Sequence, residues 1–164
     1  MSNDSSASDN LSGSKEKIGH QKINLLIEAT EKSVKTFSFK GIESYCKVSN
    51  VYDGDTCRVI FFYKGELTRV TVRLSGIDTP EMKSDNPNEV FLAKNAKEKV
   101  SDELLNKISY IKFGKNDKYK RPLVEIFPCE QNNFTINSEF VSINQILIEN
   151  DLARAYDGGK KELW

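Results

Sequence analysis

The sequence of 164 residues predicts an α+β fold that is mainly β, with five strands in a small barrel, two helices and a disordered N-terminal tail. Three observations support this prediction: a polar start, β-rich runs from about residue 37 onward, and two amphipathic patterns of helical period. The order β-β-β-α-β-β-α suits a closed or partly open barrel better than a parallel α/β sheet.

The N-terminal part differs in composition from the rest of the chain. Residues 1–16 are rich in Ser, Asn, Asp and Gly, which predicts disorder. Residues 17–35 place apolar side chains among many charges, as in a short amphipathic helix or a segment that binds a protein partner. We therefore assign residues 1–36 to an N-terminal extension and residues 37–164 to the folded domain.

The strand predictions depend on β-rich stretches. Residues 37–51 alternate in part, and residues 56–74 form two apolar runs around Lys64-Gly65, a pair typical of a hairpin turn. Two further short strands are expected over residues 110–113 and 121–127, with a polar, lysine-rich segment between them.

Two helices complete the expected fold. Over residues 88–108, apolar side chains recur at spacings of four or five while charges fill the remaining face. These apolar residues are Phe91, Ala96, Val100, Leu104 and Ile108. A second helix is expected over roughly residues 142–156, with Ile143, Ile146, Leu147 and Leu152 on its apolar face.

Composition excludes several classes of function. The only histidine, His20, lies in the polar lead-in, which excludes Ser-His-Asp and Cys-His catalysis and histidine-rich metal sites in the folded domain. The three cysteines form no CxxC or zinc pattern, so we expect free thiols in a reducing compartment. No apolar run approaches the roughly 18 residues that span a membrane, and the start lacks a secretory signal. We therefore expect an intracellular protein.

Two acidic segments flank the predicted hairpin. Asp53 and Asp55 precede its first strand in VYDGDT, and Asp78 and Glu81 follow its second strand in IDTPE. If the strands pair, these carboxylates lie at the same end, and oxygen ligands without nitrogen or sulfur suit Ca²⁺ or Mg²⁺. A proline after Thr79 holds that residue extended and directs its carbonyl, a further candidate ligand. The alternative is that each segment is an ordinary turn or helix start.

Cations accompany these acids, although the 24 basic and 24 acidic residues give a formally neutral chain. Arg73 ends the second hairpin strand, and Arg121 closes a basic segment whose single acid is Asp117. The lysines of that segment are Lys112, Lys115, Lys118 and Lys120. Guanidinium groups can donate paired hydrogen bonds to phosphate, so a phosphate site is one interpretation and a solvated loop is the other.

The ordered set VYDGDT, VRLSGIDTPE, DKYKRPL and INQILIENDLARAY resembles the staphylococcal (thermo)nuclease family from Tyr45 to Lys161. The resemblance implies a five-stranded OB-fold barrel. It also implies a thermonuclease-like endonuclease, a hydrolase that uses Ca²⁺ to cleave phosphodiester bonds of DNA, RNA or both and leaves 3′-phosphates. Nucleic acid is then the expected partner, with no membrane. We expect a monomer, although no sequence feature specifies the oligomeric state.

The same resemblance implies a role for each motif residue. For the metal it implies three ligands, Asp55, Asp78 and the backbone carbonyl of Thr79. For catalysis it implies Arg73, Glu81 and Arg121. For substrate binding it implies Lys118 and Tyr119, which match positions that contact a second phosphate. Glu81 would be the general base, and the two arginines would contact the scissile phosphate.

One position departs from the family pattern. The family motif DKYGR reads DKYKR here, so Lys120 stands where the family has glycine. If this position has a positive φ, the lysine costs roughly 1 kcal/mol and shifts Arg121. The rival interpretation of the chain is a non-catalytic module that binds nucleic acid or protein, which the complete set of acids and arginines disfavours.

Overall fold

The computed structural model describes residues 20–132, 134, 141–159 and 164. The chain divides into two compact units, one up to Phe37 and one from Ser38 onward. In the first unit residues 20–28 form helix α1, whose apolar side chains are exposed. This helix agrees with the amphipathic helix that was one of two alternatives for residues 17–35, and it adds a third helix to the two of the predicted fold. The disorder expected for residues 1–16 falls outside the described residues.

The second unit contains the remaining strands and helices. In chain order they are β1 (Glu43–Val51), β2 (Thr56–Tyr63), β3 (Glu66–Leu74), β4 (Ile77–Asp78), α2 (Pro87–Leu104), β5 (Ile108–Asn116), β6 (Pro122–Pro128), α3 (Ile143–Glu149) and β7 (Arg154–Ala155). Five strands close a barrel in the order β1-β2-β3-β6-β5, which confirms the predicted five-stranded barrel. The short strands β4 and β7 pair with each other and were not predicted.

The β2–β3 hairpin sets the position of the acidic segments. Lys64 and Gly65 occupy its two-residue turn with φ values of 51° and 85°, as a type I′ turn requires. The ladder then runs without a register shift to the Thr56–Arg73 pair at the opposite end. The hairpin is therefore confirmed, and the segments before β2 and after β3 leave it at the same end.

The barrel interior is filled by inward-facing strand residues, and Phe39 packs against them. The Phe39 ring packs edge-on against Phe61 and Tyr63, with centroids 5.4 and 5.2 Å apart. Residues 37–42 were expected to be extended, but β1 begins only at Glu43. The reason is a turn in which the Ile42 N–H donates to the Phe39 carbonyl and Gly41 adopts a φ of 85°.

Helix α2 begins after an N-cap residue, Asn86. The Asn86 side chain accepts a hydrogen bond from the Asn88 N–H, and a proline follows Asn86 at the first helical position. The buried face consists of Ala93, Ala96, Val100 and Leu104. The prediction for Phe91 was wrong: it is 64% exposed because it lies two positions before Ala93, on another side of the helix. Ile108 belongs to β5 instead of the helix.

Helix α3 is shorter than predicted. The Ser142 hydroxyl caps it by accepting from the Gln145 N–H, and the helix ends at Glu149. Asp151 then takes a φ of 56°, a left-handed conformation that stops the helix, and the chain continues into β7. Within the described part of the chain, no helix has both the length and the apolar character needed to cross a membrane.

Candidate functional site

The two acidic segments meet around one arginine. Asp55 precedes β2 and Asp78 ends β4, and both are buried, with 9% and 5% of their surface exposed. The Arg73 Nη2 atom lies 2.6 Å from Asp55 Oδ2 and 3.7 Å from Asp78 Oδ1. The predicted convergence of these residues at one end of the hairpin is therefore present in the structure.

The backbone fixes the orientation of Arg73. Its Nη1 donates to the carbonyls of Leu74 and Ile77, at 3.3 and 3.2 Å. Both carbonyls flank the turn that leads from β3 to β4, so the guanidinium ties that turn to the end of the barrel. The Tyr156 ring lies 6.0 Å from the Arg73 Cζ. These contacts hold the guanidinium of Arg73 in one orientation, with Nη2 toward the carboxylates.

A buried asparagine holds the same turn from the other side. The Asn144 Nδ2 on α3 donates to the carbonyls of Ser75 and Val124, at 2.8 and 3.2 Å. The Tyr156 N–H donates to the Gly76 carbonyl at 2.9 Å, next to the β4–β7 pair. Sequence reasoning missed Asn144, whose only signal is a polar residue beside Ile143 on the apolar face of α3.

Gly54 allows the two acidic loops to pack closely. A Cβ at this position would lie 2.8 Å from the Ala96 Cβ, which is closer than real Cβ contacts, and a tight 3.0 Å from the Thr79 Cβ. The Asp55 N–H donates to Asp53 Oδ1 at 3.1 Å, which shapes the loop around the glycine. The sequence suggested a turn glycine here, whereas the requirement in the structure is for space.

Replacing Gly54 by Ala should destabilise the domain by about 1–3 kcal/mol, because the added methyl overlaps neighbours that the backbone holds in place. Chemical denaturation of the variant and the parent chain would measure this difference. Ala96→Gly removes the closest overlap, so it should destabilise the Gly54→Ala variant less than it destabilises the parent chain. A Gly54→Ala variant as stable as the parent chain would show that the loops do not need this contact.

Arg121, which follows the β5–β6 turn, is linked to Asp55 through Thr56. Its Nε donates to Asp117 Oδ2 at 2.8 Å, and its Nη1 donates to Thr56 Oγ1 at 3.4 Å. The Thr56 hydroxyl in turn donates to Asp55 Oδ1 at 2.8 Å. A continuous chain of hydrogen bonds therefore joins Asp117, on the basic turn, to Asp55. Thr56 and Asp117 were not among the predicted site residues.

Asp117 is suited to hold Arg121. Its Oδ1 accepts from the N–H groups of Tyr119 and Arg121, at 2.9 and 2.8 Å. Burial acts to raise the pKa of Asp117, but the hydrogen bonds and charge of Arg121 outweigh it and lower that pKa. Asp117 is therefore an ionised anchor for the turn. A sequence signal existed, because an aspartate that accepts from a backbone N–H two residues later is a common turn device.

The net pKa shift of Asp55 has the opposite direction to that of Asp117. Burial raises the pKa of Asp55 to about 6, while the Arg73 charge acts to lower that pKa and the Asp53 charge adds to the rise. A desolvated carboxylate gains stability when positive charge is placed beside it. The environment of Asp55 therefore favours the approach of a cation.

An open cleft of about 180 Å³ lies beside these groups. Its lining comprises Asp53, Asp55, Thr79, Pro80, Glu81, Met82 and Lys83. The Glu81 side chain is exposed, and its backbone N–H donates to Glu89 Oε1 on α2 at 3.1 Å. The cleft therefore unites residues from both acidic segments, including the predicted Thr79 and Glu81.

A family comparison bears on this geometry. The family model described as staphylococcal nuclease homologue (SNase) matches residues 71–162, more than half of the chain. The chain belongs to the staphylococcal nuclease homologue family. No curated protein matches the chain. The span of the SNase match contains all predicted site residues except Asp55, which the structure joins to that span through Arg73.

The metal site expected of an SNase domain can be tested against the donors that are present. Among residues 20–132, 134, 141–159 and 164, no three His, Cys, Asp or Glu side chains cluster closely enough to hold a metal. The residues with oxygen donors that line the cleft include Asp53, Asp55, Thr79 and Glu81, and the buried Asp78 lies near Asp55 across Arg73. An all-oxygen set fits Ca²⁺ or Mg²⁺, and its small number of protein ligands fits weak binding.

The remaining predicted residues of the SNase domain lie on the β5–β6 turn. Tyr119 is 69% exposed, with Lys118 Nζ 5.1 Å and Arg121 Cζ 5.5 Å from its ring centre. Lys120 has a φ of 65°, so the departure from the family pattern falls on a left-handed residue, where a side chain costs roughly 1 kcal/mol. With Lys120 in this conformation, Arg121 makes its contacts with Asp117 and Thr56.

Proposed function

We propose that this SNase-family domain is a Ca²⁺-dependent endonuclease that hydrolyses phosphodiester bonds of DNA, RNA or both and leaves 3′-phosphates. The observation that carries the proposal is the contact of Arg73 with Asp55 and Asp78, beside a cleft lined by Thr79 and Glu81. The closed five-stranded barrel, with its parallel β3–β6 contact, supports assignment of the domain to the OB-fold.

In the proposed site the ion is held by Asp55, Asp78 and the carbonyl of Thr79. Bound Ca²⁺ would supply positive charge that stabilises the growing negative charge on the phosphate oxygens. Arg73 is placed beside the same carboxylates, so its positive charge would lie next to the bound phosphate. The family resemblance supports these roles, and the all-oxygen donor set is consistent with them.

Glu81 is the proposed general base. Glu81 lines the cleft, where its carboxylate would accept the proton of the attacking water. The water oxygen bonds to phosphorus, the bond from phosphorus to the 5′ oxygen breaks, and the leaving oxygen takes a proton from solvent. Arg121, anchored by Asp117, stabilises the charge of the five-coordinate phosphorus. Lys118 and Tyr119 contact a second phosphate of the substrate.

The proposed catalytic domain spans residues 37–164, and residues 1–36 form an extension with a separate role. Helix α1 in that extension carries exposed apolar side chains, which are Ile23, Leu25, Leu26 and Ile27. Exposed apolar residues of this kind suit contact with a protein partner. Such an interaction is compatible with nuclease activity of the barrel.

The purified chain should cleave DNA or RNA in the presence of Ca²⁺ and should stop when EGTA removes the ion. Single- and double-stranded substrates should be tested separately, with the product ends examined for 3′-phosphates. Circular dichroism in both buffers controls for folding, because loss of structure in EGTA would imitate metal dependence. A folded sample that cuts no substrate in Ca²⁺ would contradict the proposal.

A non-catalytic binding module is the alternative function. It is favoured by the Arg73–Asp55 contact of 2.6 Å, which offsets the acidic charge without an added ion. The cleavage assay, together with a gel mobility shift, separates the two functions. A binding module would shift the nucleic acid and yield no Ca²⁺-dependent product. The endonuclease would give both binding and cleavage.

A further inference from the structure

The β5–β6 turn carries positive charge that the fold leaves exposed. Between residues 109 and 124 the only acid is Asp117, and its carboxylate is engaged by Arg121 and by two backbone N–H groups. The charge of Lys112 has acidic neighbours, because Lys112 lies opposite Glu43 on β1 and Glu125 on β6. The charge that remains on the turn is that of the other lysines, Lys115, Lys118 and Lys120.

Lys120, an exposed lysine next to Arg121, has no role in the proposed site. It directly precedes Arg121, so their Cα atoms are about 3.8 Å apart. Its side chain is exposed, and within the described residues it forms no ion pair of 4.0 Å or less. The Lys120 N–H donates to the Asp117 carbonyl at 3.0 Å, and the Asp117 N–H donates to the Arg121 carbonyl at 2.8 Å. The turn is therefore closed around Lys120, which fixes the direction in which its side chain leaves the backbone.

We propose that Lys120 binds a phosphate of the nucleic acid strand outside the cleft, and thereby favours long strands over short fragments. This inference rests on the proposed function, in which Arg121 contacts the scissile phosphate. Each strand of a DNA duplex carries one phosphate about every 3.4 Å along the helix axis. A strand anchored at Arg121 therefore brings neighbouring phosphates past the adjacent residue, and an exposed ammonium there meets them without first breaking an ion pair.

The test compares Lys120→Gln, which removes the charge but keeps an unbranched stem and a polar end group, with Lys120→Arg, which keeps the charge. Binding of a long single-stranded oligonucleotide is measured by fluorescence anisotropy in EGTA over a series of salt concentrations. One fewer phosphate contact should reduce the salt slope by about 0.7 and weaken binding about fivefold at 0.1 M salt. Lys120→Arg should retain both.

Two lysines of the same chain provide matched controls. Lys64 is also left-handed, with a φ of 51°, but it occupies the far end of the β2–β3 hairpin and its Nζ lies 5.4 Å from the Tyr63 ring. Lys112 lies on β5, with its Nζ 5.3 Å from the Phe127 ring. Lys64→Gln and Lys112→Gln should leave the salt slope unchanged. An equal decrease in all three Gln variants would overturn the proposal, because it would reflect net charge alone.

Kinetics with substrates of two lengths separates phosphate binding from a structural effect on Arg121. Lys120→Gln should raise KM for the long strand without a matching loss of kcat, and should leave KM for a dinucleotide unchanged. An equal loss on both substrates would mean that Lys120 acts by placing Arg121, and would overturn the inference. If neither the parent chain nor any variant cleaves, the endonuclease proposal fails. The anisotropy result still decides whether Lys120 binds phosphate.

Discussion

Replacing Glu81 by Gln should reduce the rate of Ca²⁺-dependent phosphodiester cleavage by about 10²–10⁴-fold. The amide keeps the size of the side chain and its hydrogen-bonding capacity but cannot take the proton of the attacking water. The side chain is exposed at the cleft, so the free energy of unfolding should change by less than about 0.5 kcal/mol. Single-turnover cleavage at saturating Ca²⁺ would measure the loss.

Glu98→Gln is the matched control for the Glu81 variant. Glu98 is an exposed acid on helix α2 that does not line the cleft, and its replacement removes the same charge. Its cleavage rate should equal that of the parent chain. Full activity of Glu81→Gln would show that another group accepts the proton, and the assignment of the general base would be abandoned.

Replacing Arg121 by Ala should reduce the cleavage rate by about 10²–10³-fold, the size expected when one preorganised donor to a developing negative charge is lost. The guanidinium is the link between Asp117 and Thr56, so its removal also breaks the chain that ends at Asp55. Arg121→Lys should remain impaired, because an ammonium cannot donate through a rigid planar fork to both partners. Rates at saturating substrate would measure both effects.

Two further variants define what the Arg121 result means. Arg69→Ala removes an exposed arginine of β3 and should leave the rate unchanged. Asp117→Asn keeps an acceptor for the turn but loses the charge that pairs with Arg121, so it should reduce the rate less than Arg121→Ala. If Arg121→Ala retained the parental rate, the guanidinium would have no part in stabilising the reaction.

The barrel strands and the β2–β3 hairpin could be predicted because their signals are local. The φ values of Lys64 and Gly65 confirm a turn that two adjacent residues specify. Which side of helix α2 faces the barrel was harder to predict from the sequence. Apolar residues occur on more than one side of that helix, and only packing against the barrel decided that Ala93 is buried and Phe91 exposed.

The candidate site was predictable to the extent that it depends on the hairpin. Once β2 and β3 pair, Asp55 and Arg73 lie at the same end, and Asp78 follows a few residues later. The supporting residues depend on contacts between distant segments and were missed. Asn144 bonds a carbonyl 69 positions away, and Thr56 meets Arg121 across 65 positions.

The sequence by itself determined the order of the five barrel strands along the chain, the hairpin and the set of acids and arginines, because periodicity, turn chemistry and residue type act over short distances. Only the tertiary structure decided how that set is held. It placed Gly54 where an added Cβ would meet Ala96 and Thr79, and it anchored Arg121 on Asp117. It also left Lys120 exposed at a left-handed position beside the site. Such features depend on close packing and on hydrogen bonds between segments that meet only when the barrel closes.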